Sequence, residues 1–218
     1  MEDVYPIGIN STFSKWNTVC NTTLGDCGCD NCQGNVQDVP SRLDDLSQYE
    51  KWLGLWPKTK AHNPQSFHGE NYWMRDPTVA EEVVMNILAF NHGAKAIFSW
   101  VYPAPLDLAQ IHGVLAKVVT RAPVVDFIVG AKPTMVRVAG LEILDAAFWV
   151  IGKKMLVSVV NGGYDDIDEP ISLSFPDSVQ PKGASLSVWG SIPWQVLAGK
   201  LTVGGLSAMT ASMIILDL

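Results

Sequence analysis

The hydrophobic pattern changes period near residue 131, and no other feature restricts the possible folds as much. Beyond that point come short alternating runs: TMVRVAG, AAFWVIG, KMLVSVVNG, PISLSFP, ASLSVWG, KLTVGG and ASMIILDL, separated by turns rich in Gly, Pro and Asp. Runs of this length and spacing predict an antiparallel β-sandwich over residues 131–218. Before residue 131 the chain alternates extended and helical stretches, as α/β structure does. A strand ends near residues 3–8. A loop occupies 9–40, and a helix is expected over about 42–54, with Ser41 as its N-cap and Gly54 as its stop. A short strand follows at 60–67. Then comes a helix over 77–92, with Pro77 in its first turn, Glu81 and Glu82 at its positive end and Gly93 closing it. AKAIFSWVY (94–102) is nearly all apolar, as a parallel strand buried on both faces would be. A helix over 105–120 completes this half.

Composition removes several classes of function. Asp plus Glu number 22 against 15 Lys plus Arg, a net charge of -7, and no basic run is present to neutralise phosphates, so no nucleic-acid partner is expected. No apolar run approaches the roughly 20 residues of a membrane-spanning helix; the stretch at 146–160 is broken by Gly152, Lys153 and Lys154. No cofactor or metal is expected.

All four cysteines, Cys20, Cys27, Cys29 and Cys32, fall within thirteen residues in the spacing C-x6-C-x-C-x2-C. A structural zinc site usually draws on two separated knuckles, and this single arc with a C-x-C pair fits that poorly. Asn10-Ser11-Thr12 and Asn21-Thr22-Thr23 fit the N-glycosylation acceptor pattern. Together they favour an oxidised, disulfide-stapled surface loop of an extracellular protein, with Asn10 and Asn21 as glycan acceptors and the pairing open. Met1 is followed by Glu2 and Asp3, with no basic or apolar leader. A secreted chain without a signal peptide is expected to be the C-terminal part of a longer one.

The segments DVYPIG (3–8), GDCGCDNC (25–32), PQSFHGENYWMRDPT (64–78) and NHGAKAIFSWVYP (91–103), in that order, resemble the last third of a (β/α)8 glycoside-hydrolase barrel. Their nearest likeness is to a fungal secreted group of glycoside-hydrolase-like proteins. The resemblance covers roughly residues 1–120. It implies that residues 1–8 end the sixth barrel strand, that 60–67 form the seventh and 94–102 the eighth, and that a small sandwich follows. The expected fold is therefore an incomplete (β/α)8 barrel over 1–130 and a β-sandwich over 131–218.

Active sites of such barrels lie at the C-terminal strand ends. That selects Asp3 and Tyr5, then Gln65, His68, Glu70, Tyr72 and Trp73, then Trp100 and Tyr102. Glycoside hydrolysis usually needs two carboxyl groups, and Glu70 and Asp3 are the acids nearest strand ends. The resemblance implies a Glu nucleophile ending the seventh strand. Glu70 lies a few residues past that place, where Gln65-Ser66-Phe67 stand, so it competes with a solvated loop acid or a partner of Arg75. Trp100, Tyr5, Gln65, His68, Trp73 and Tyr102 are expected to contact a carbohydrate, against core packing for the aromatics. His62, His92 and His112 read as structural, and Trp149, Trp189 and Trp194 as sandwich core. Three functions compete: part of a secreted glycoside hydrolase, inactive alone; a non-catalytic carbohydrate-binding or cell-surface protein on the same scaffold; and a truncated product whose open sheet edges promote aggregation.

Overall fold

The computed structural model describes residues 1–10, 32–138 and 140–218. They divide into two compact units, Met1–Gly113 and Val114–Leu218.

The first unit is built on a parallel sheet of β1 (Glu2–Val4), β2 (Lys60–Pro64) and β3 (Ala94–Ile97), in that order. Parallel neighbours need long crossovers, and a helix follows each strand: α1 (Asp38–Trp52), α2 (Val79–Asn91) and α3 (Leu106–Val119). The boundary between the units falls within α3.

Helix α1 begins at Asp38, ahead of the expected start. The Asp38 carboxylate accepts the backbone N–H groups of Gln33 (2.8 Å), Gly34 (2.7 Å) and Asn35 (3.1 Å), closing the turn before the helix. Ser41 therefore lies inside the first turn instead of capping it. Burial pushes the Asp38 carboxyl above its ordinary value, while those three N–H groups and Arg42 pull it down.

Helix α2 begins one residue after Thr78, which forms a capping box with Glu81: Glu81 N–H donates to Thr78 Oγ1 (3.2 Å) and Thr78 N–H to Glu81 Oε2 (2.8 Å). Pro77 thus precedes the cap and is not part of the first turn. Arg75 grips Glu81 with two bonds of 2.7 Å each. The helix is buried nearly all round, Glu81, Glu82, Asn86 and Asn91 included. Gly93, at φ 91°, ends it as expected.

Strand β3 differs from expectation. Only Ala94 is fully buried, and the regular ladder stops at Ile97. β3 is an edge strand with no further strand beside it among the described residues, so its apolar run stays half-open to solvent. Pairing nevertheless continues past the ladder. Phe98 N–H donates to His62 O (2.9 Å), Trp100 N–H to Pro64 O (3.1 Å), and Ser66 N–H to Trp100 O (2.6 Å).

In the second unit a short helix, α4 (Val124–Gly130), precedes two antiparallel sheets. The larger has β4 (Thr134–Val136), β5 (Leu144–Ile151), β6 (Lys154–Asn161), β11 (Thr210–Asp217) and β8 (Gly183–Trp189) in the order β4-β5-β6-β11-β8. The smaller runs β7 (Ile171–Leu173), β10 (Lys200–Val203), β9 (Gln195–Leu197). Each alternating run of the sequence holds one of these strands; α4 and β9 were not anticipated. The sheets share one core, with Phe148, Val157, Val159, Ile214 and Leu216 from the larger and Ile171, Leu173, Leu201 and Val203 from the smaller. Trp149 and Trp194 are buried, and Trp194 Nε1 donates to Ser212 Oγ (3.0 Å). No helix among the described residues is long and apolar enough to cross a membrane.

Candidate functional site

Because β1, β2 and β3 are parallel, their C-terminal ends share one edge of the sheet, where α/β folds place their ligands. Tyr5 follows β1, residues 65–67 follow β2, and residues 98–100 follow β3.

Gln65 ties two of these ends together. Its Oε1 accepts Ile7 N–H (2.8 Å), and its Nε2 donates to Ile7 O (3.0 Å) and Phe67 O (3.1 Å). It is fully buried with its amide engaged by backbone, a geometry suited to positioning the loop after β1. The segment after Phe67 folds into a hairpin, with Gly69 N–H donating to Trp73 O (2.8 Å) and Tyr72 N–H to Gly69 O (3.2 Å). That hairpin pairs with the β1 loop through Met74 N–H to Gly8 O (2.7 Å) and Asn10 N–H to Tyr72 O (2.7 Å). Gly8 is required there: its φ is 70°, and a Cβ would stand 2.8 Å from Arg75 Cγ.

On this frame the rings gather. Tyr5 lies 5.2 Å from Phe67 and 6.0 Å from Trp73, Phe67 lies 5.0 Å from Trp73, and Tyr72 lies 4.7 Å from Trp73, each edge to face. Trp73 Nε1 donates to Tyr5 O (2.8 Å). Burial, then the charges of Asp3 and Glu2, push the Tyr5 phenol up to about 12, so at neutral pH it is a hydrogen-bond donor and not a nucleophile. Trp100 is 52% exposed, with its backbone bridged to Gln65.

The other expected residues are more dispersed. Asp3 is exposed in mid-β1, on the face opposite buried Glu2 and Val4. Glu70 is exposed at the hairpin tip, where it and Asn71 adopt φ 58° and 56°. His68 Nδ1 lies 2.9 Å from Asp76 Oδ1, and both side chains are partly exposed. Tyr102 is 93% exposed beside a separate cleft described below. Cys20, Cys27, Cys29 and Asn21 lie outside the described residues. Cys32 is buried. Among the described residues no cluster of three His, Cys, Asp or Glu side chains is arranged to hold a metal ion.

No family model matches the chain, and no curated protein matches it by sequence. Solved structures do match. An Anoxybacillus α-amylase aligns over 89% of this chain and 49% of its own, with a TM-score of 0.58 and 8% identity. An α-amylase from Geobacillus thermoleovorans, solved with acarbose, aligns over the same shares with a TM-score of 0.59 and 10% identity. The fold is glycoside-hydrolase-like. A maltogenic α-amylase from Thermotoga neapolitana extends the set, with 84% of this chain and 48% of that one covered, a TM-score of 0.53 and 11% identity. The chain spans about half the length of these structures, and at such identities the likeness is one of fold.

Sequence reasoning passed over two buried pairs in the first unit. His62, on β2, hydrogen-bonds through Nδ1 to Glu2 on β1, with both side chains out of water. Glu82, expected to favour the helix dipole, is instead fully buried and hydrogen-bonded to His112 Nε2 of α3. No local spacing announces either pair: the partners are 60 and 30 residues apart.

Proposed function

We propose that the chain is part of a carbohydrate-active protein of the glycoside-hydrolase kind, and that its sugar-binding surface is the C-terminal edge of the parallel sheet. The observation that carries this reading is Trp100: a half-exposed residue at a strand end, its backbone bridged to Gln65, in a glycoside-hydrolase-like fold. An indole face in that position excludes water from the C–H face of a sugar ring. We assign residues 1–130 to the last part of a (β/α)8 barrel and 131–218 to an accompanying β-sandwich. In the hydrolase reading Glu70 and Asp3 are the acids of this portion, and the chain alone is inactive. Secretion, fungal origin, glycans on Asn10 and Asn21 and disulfides among Cys20, Cys27, Cys29 and Cys32 belong to the same proposal; a mass loss on deglycosylation of the native protein tests the glycans.

A second reading is favoured by the position of Glu70. A carboxylate at an exposed hairpin tip, beyond the strand end, is poorly placed for in-line attack on a sugar. The same aromatic edge then serves a non-catalytic carbohydrate-binding protein. Calorimetric titration with acarbose and malto-oligosaccharides tests the shared core of both readings. Trp100→Ala is expected to weaken binding by about tenfold, from the loss of roughly 1.4 kcal/mol of ring contact. If the parent chain and the native protein both fail to bind any oligosaccharide, the proposal is wrong. Turnover of an aryl glycoside by the native protein, abolished by Glu70→Gln, selects the hydrolase; binding without turnover selects the second reading.

A further inference from the structure

Three side chains that the sugar-binding edge does not use form a continuous hydrogen-bonded chain within the first unit. Ser99 Oγ stands 2.8 Å from His112 Nδ1 and 3.5 Å from its Nε2. His112 Nε2 is bonded to Glu82 Oε1. Glu82 is fully buried, with Ser66 Oγ donating to the same oxygen (3.3 Å) and Asn86 Nδ2 nearby (3.4 Å). This pattern sets the histidine tautomer. With the proton on Nε2 facing the carboxylate, Nδ1 is left as an acceptor, and the hydroxyl it faces is that of Ser99. The result is the order nucleophile, base, orienting carboxylate that activates serine in hydrolases, with the two ring nitrogens exchanged relative to the usual triad.

This chain of groups opens on a cleft. Ser99 and His112 line a cavity of about 400 Å³ whose other walls are Val101, Tyr102, Pro103, Ala104, Leu106 and Ala109. Ser99 is partly exposed and the His112 side chain 19% exposed, so a ligand can reach both, while Glu82 lies behind them out of water. α3 starts at this wall, with Leu106 as its first residue, and its Leu108 N–H donates to the Asp107 carboxylate (3.0 Å).

The geometry points to a second, nucleophilic site, a Ser99–His112–Glu82 centre that cleaves uncharged esters of short carboxylic acids. The walls are apolar and carry no cation, which favours a short acyl chain over a phosphate or carboxylate. In the first step Ser99 Oγ bonds to the ester carbonyl carbon as its proton passes to His112 Nδ1, and Glu82 balances the imidazolium. The tetrahedral intermediate collapses by breaking the bond to the alcohol oxygen, which leaves with the proton from Nδ1. Water then attacks the acyl-serine and gives a proton to Nδ1. The Ser99–acyl bond breaks, Ser99 Oγ recovers that proton, and the carboxylic acid departs. Ser99 and His112 are the catalytic residues; Glu82 is a positioning residue.

The test uses the full 218-residue chain. It is incubated with a fluorophosphonate, the adduct is mapped by peptide mass, and hydrolysis of p-nitrophenyl butyrate is followed in parallel. A single phosphonyl adduct on Ser99 is expected, absent in Ser99→Ala, which loses one hydroxyl and keeps the parent's circular dichroism. His112→Gln is expected to lower both labelling and ester hydrolysis by about 10²–10⁴-fold, the usual worth of a general base. Glu82→Gln should lower the labelling rate and flatten its rise with pH, which a purely structural role would not do. An unlabelled Ser99 in the folded parent chain overturns the proposal, whatever the variants do. So does labelling that is unchanged in a folded His112→Gln or that persists in Ser99→Ala.

Discussion

Glu2, His62, Gln65, Glu81, Glu82 and Asn86 are all buried in the parallel unit, whereas the buried polar side chains described in the antiparallel unit are Ser158, Asn161 and Ser212. Burying a charge costs free energy unless it is paired and bonded, so the first unit accepts costs that the second avoids. Of these groups Gln65 sits at the strand ends and Glu82 behind the His112 cleft. The second unit invests in hydrocarbon, with both sheets closing on one shared core. Trp52, Trp56, Phe98, Trp100 and Tyr102 of the first unit are open to solvent; in the second, Trp149 and Trp194 are inside and Tyr164 is exposed.

The contrast is broken most sharply at Asn161. Its amide is fully buried and saturated: Nδ2 reaches Asp165 O (3.0 Å), Leu206 O (3.3 Å) and Ser207 O (3.0 Å), and Oδ1 accepts Gly163 N–H (3.0 Å). Asn161→Ala strands those partners and is expected to cost on the order of 3 kcal/mol in urea unfolding. Asp38→Ala, in the first unit, removes the acceptor of three N–H groups and should cost about 2 kcal/mol by the same measurement. A loss at Asp38 that exceeds the one at Asn161 would reverse that order. Glu82→Gln keeps the side chain's shape and an acceptor oxygen for His112 Nε2, and the melting curve should report a change within about 1 kcal/mol of the parent. A collapse of the fold would mean that this carboxylate is structural.

Smaller effects refine the picture of the strand-end edge. Glu70 holds a left-handed conformation that a Cβ disfavours, so Glu70→Gly should raise stability by about 0.5 kcal/mol in thermal unfolding; destabilisation would reveal contacts of its carboxylate. Tyr5 gives the pH signature. Its phenol is raised from 10.0 to about 12 in the folded protein. The fold thus favours the neutral form, and the associated stability is fully present below pH 10 and lost as pH climbs through 12. Absorbance titration at 295 nm should show one of the five tyrosines ionising late. If none lags in the native protein, Tyr5 is more open to water than its ring cluster implies.

The legible parts are those governed by neighbours in the chain. The seven alternating runs each held a strand, because a period of two commits a segment to a half-buried sheet wherever the sheet lies. Helix α2 was equally plain, and Thr78 with Glu81 spells its capping box at fixed spacing. Less legible were ends set from outside: Asp38 starts α1 through bonds to the turn before it, and the strand in 94–102 loses its regular ladder after Ile97. The aromatic edge was half legible. Tyr5, Trp73 and Trp100 were picked out by their positions at strand ends, but the burial of Gln65 and the exposure of Glu70 depend on a hairpin that pairs with a loop some sixty residues away. The sequence alone determined the periods and the kinds of residue available. Only the tertiary structure decided that Ser99, His112 and Glu82 meet, because parallel strands bring together side chains from successive crossovers whose separation along the chain follows no period.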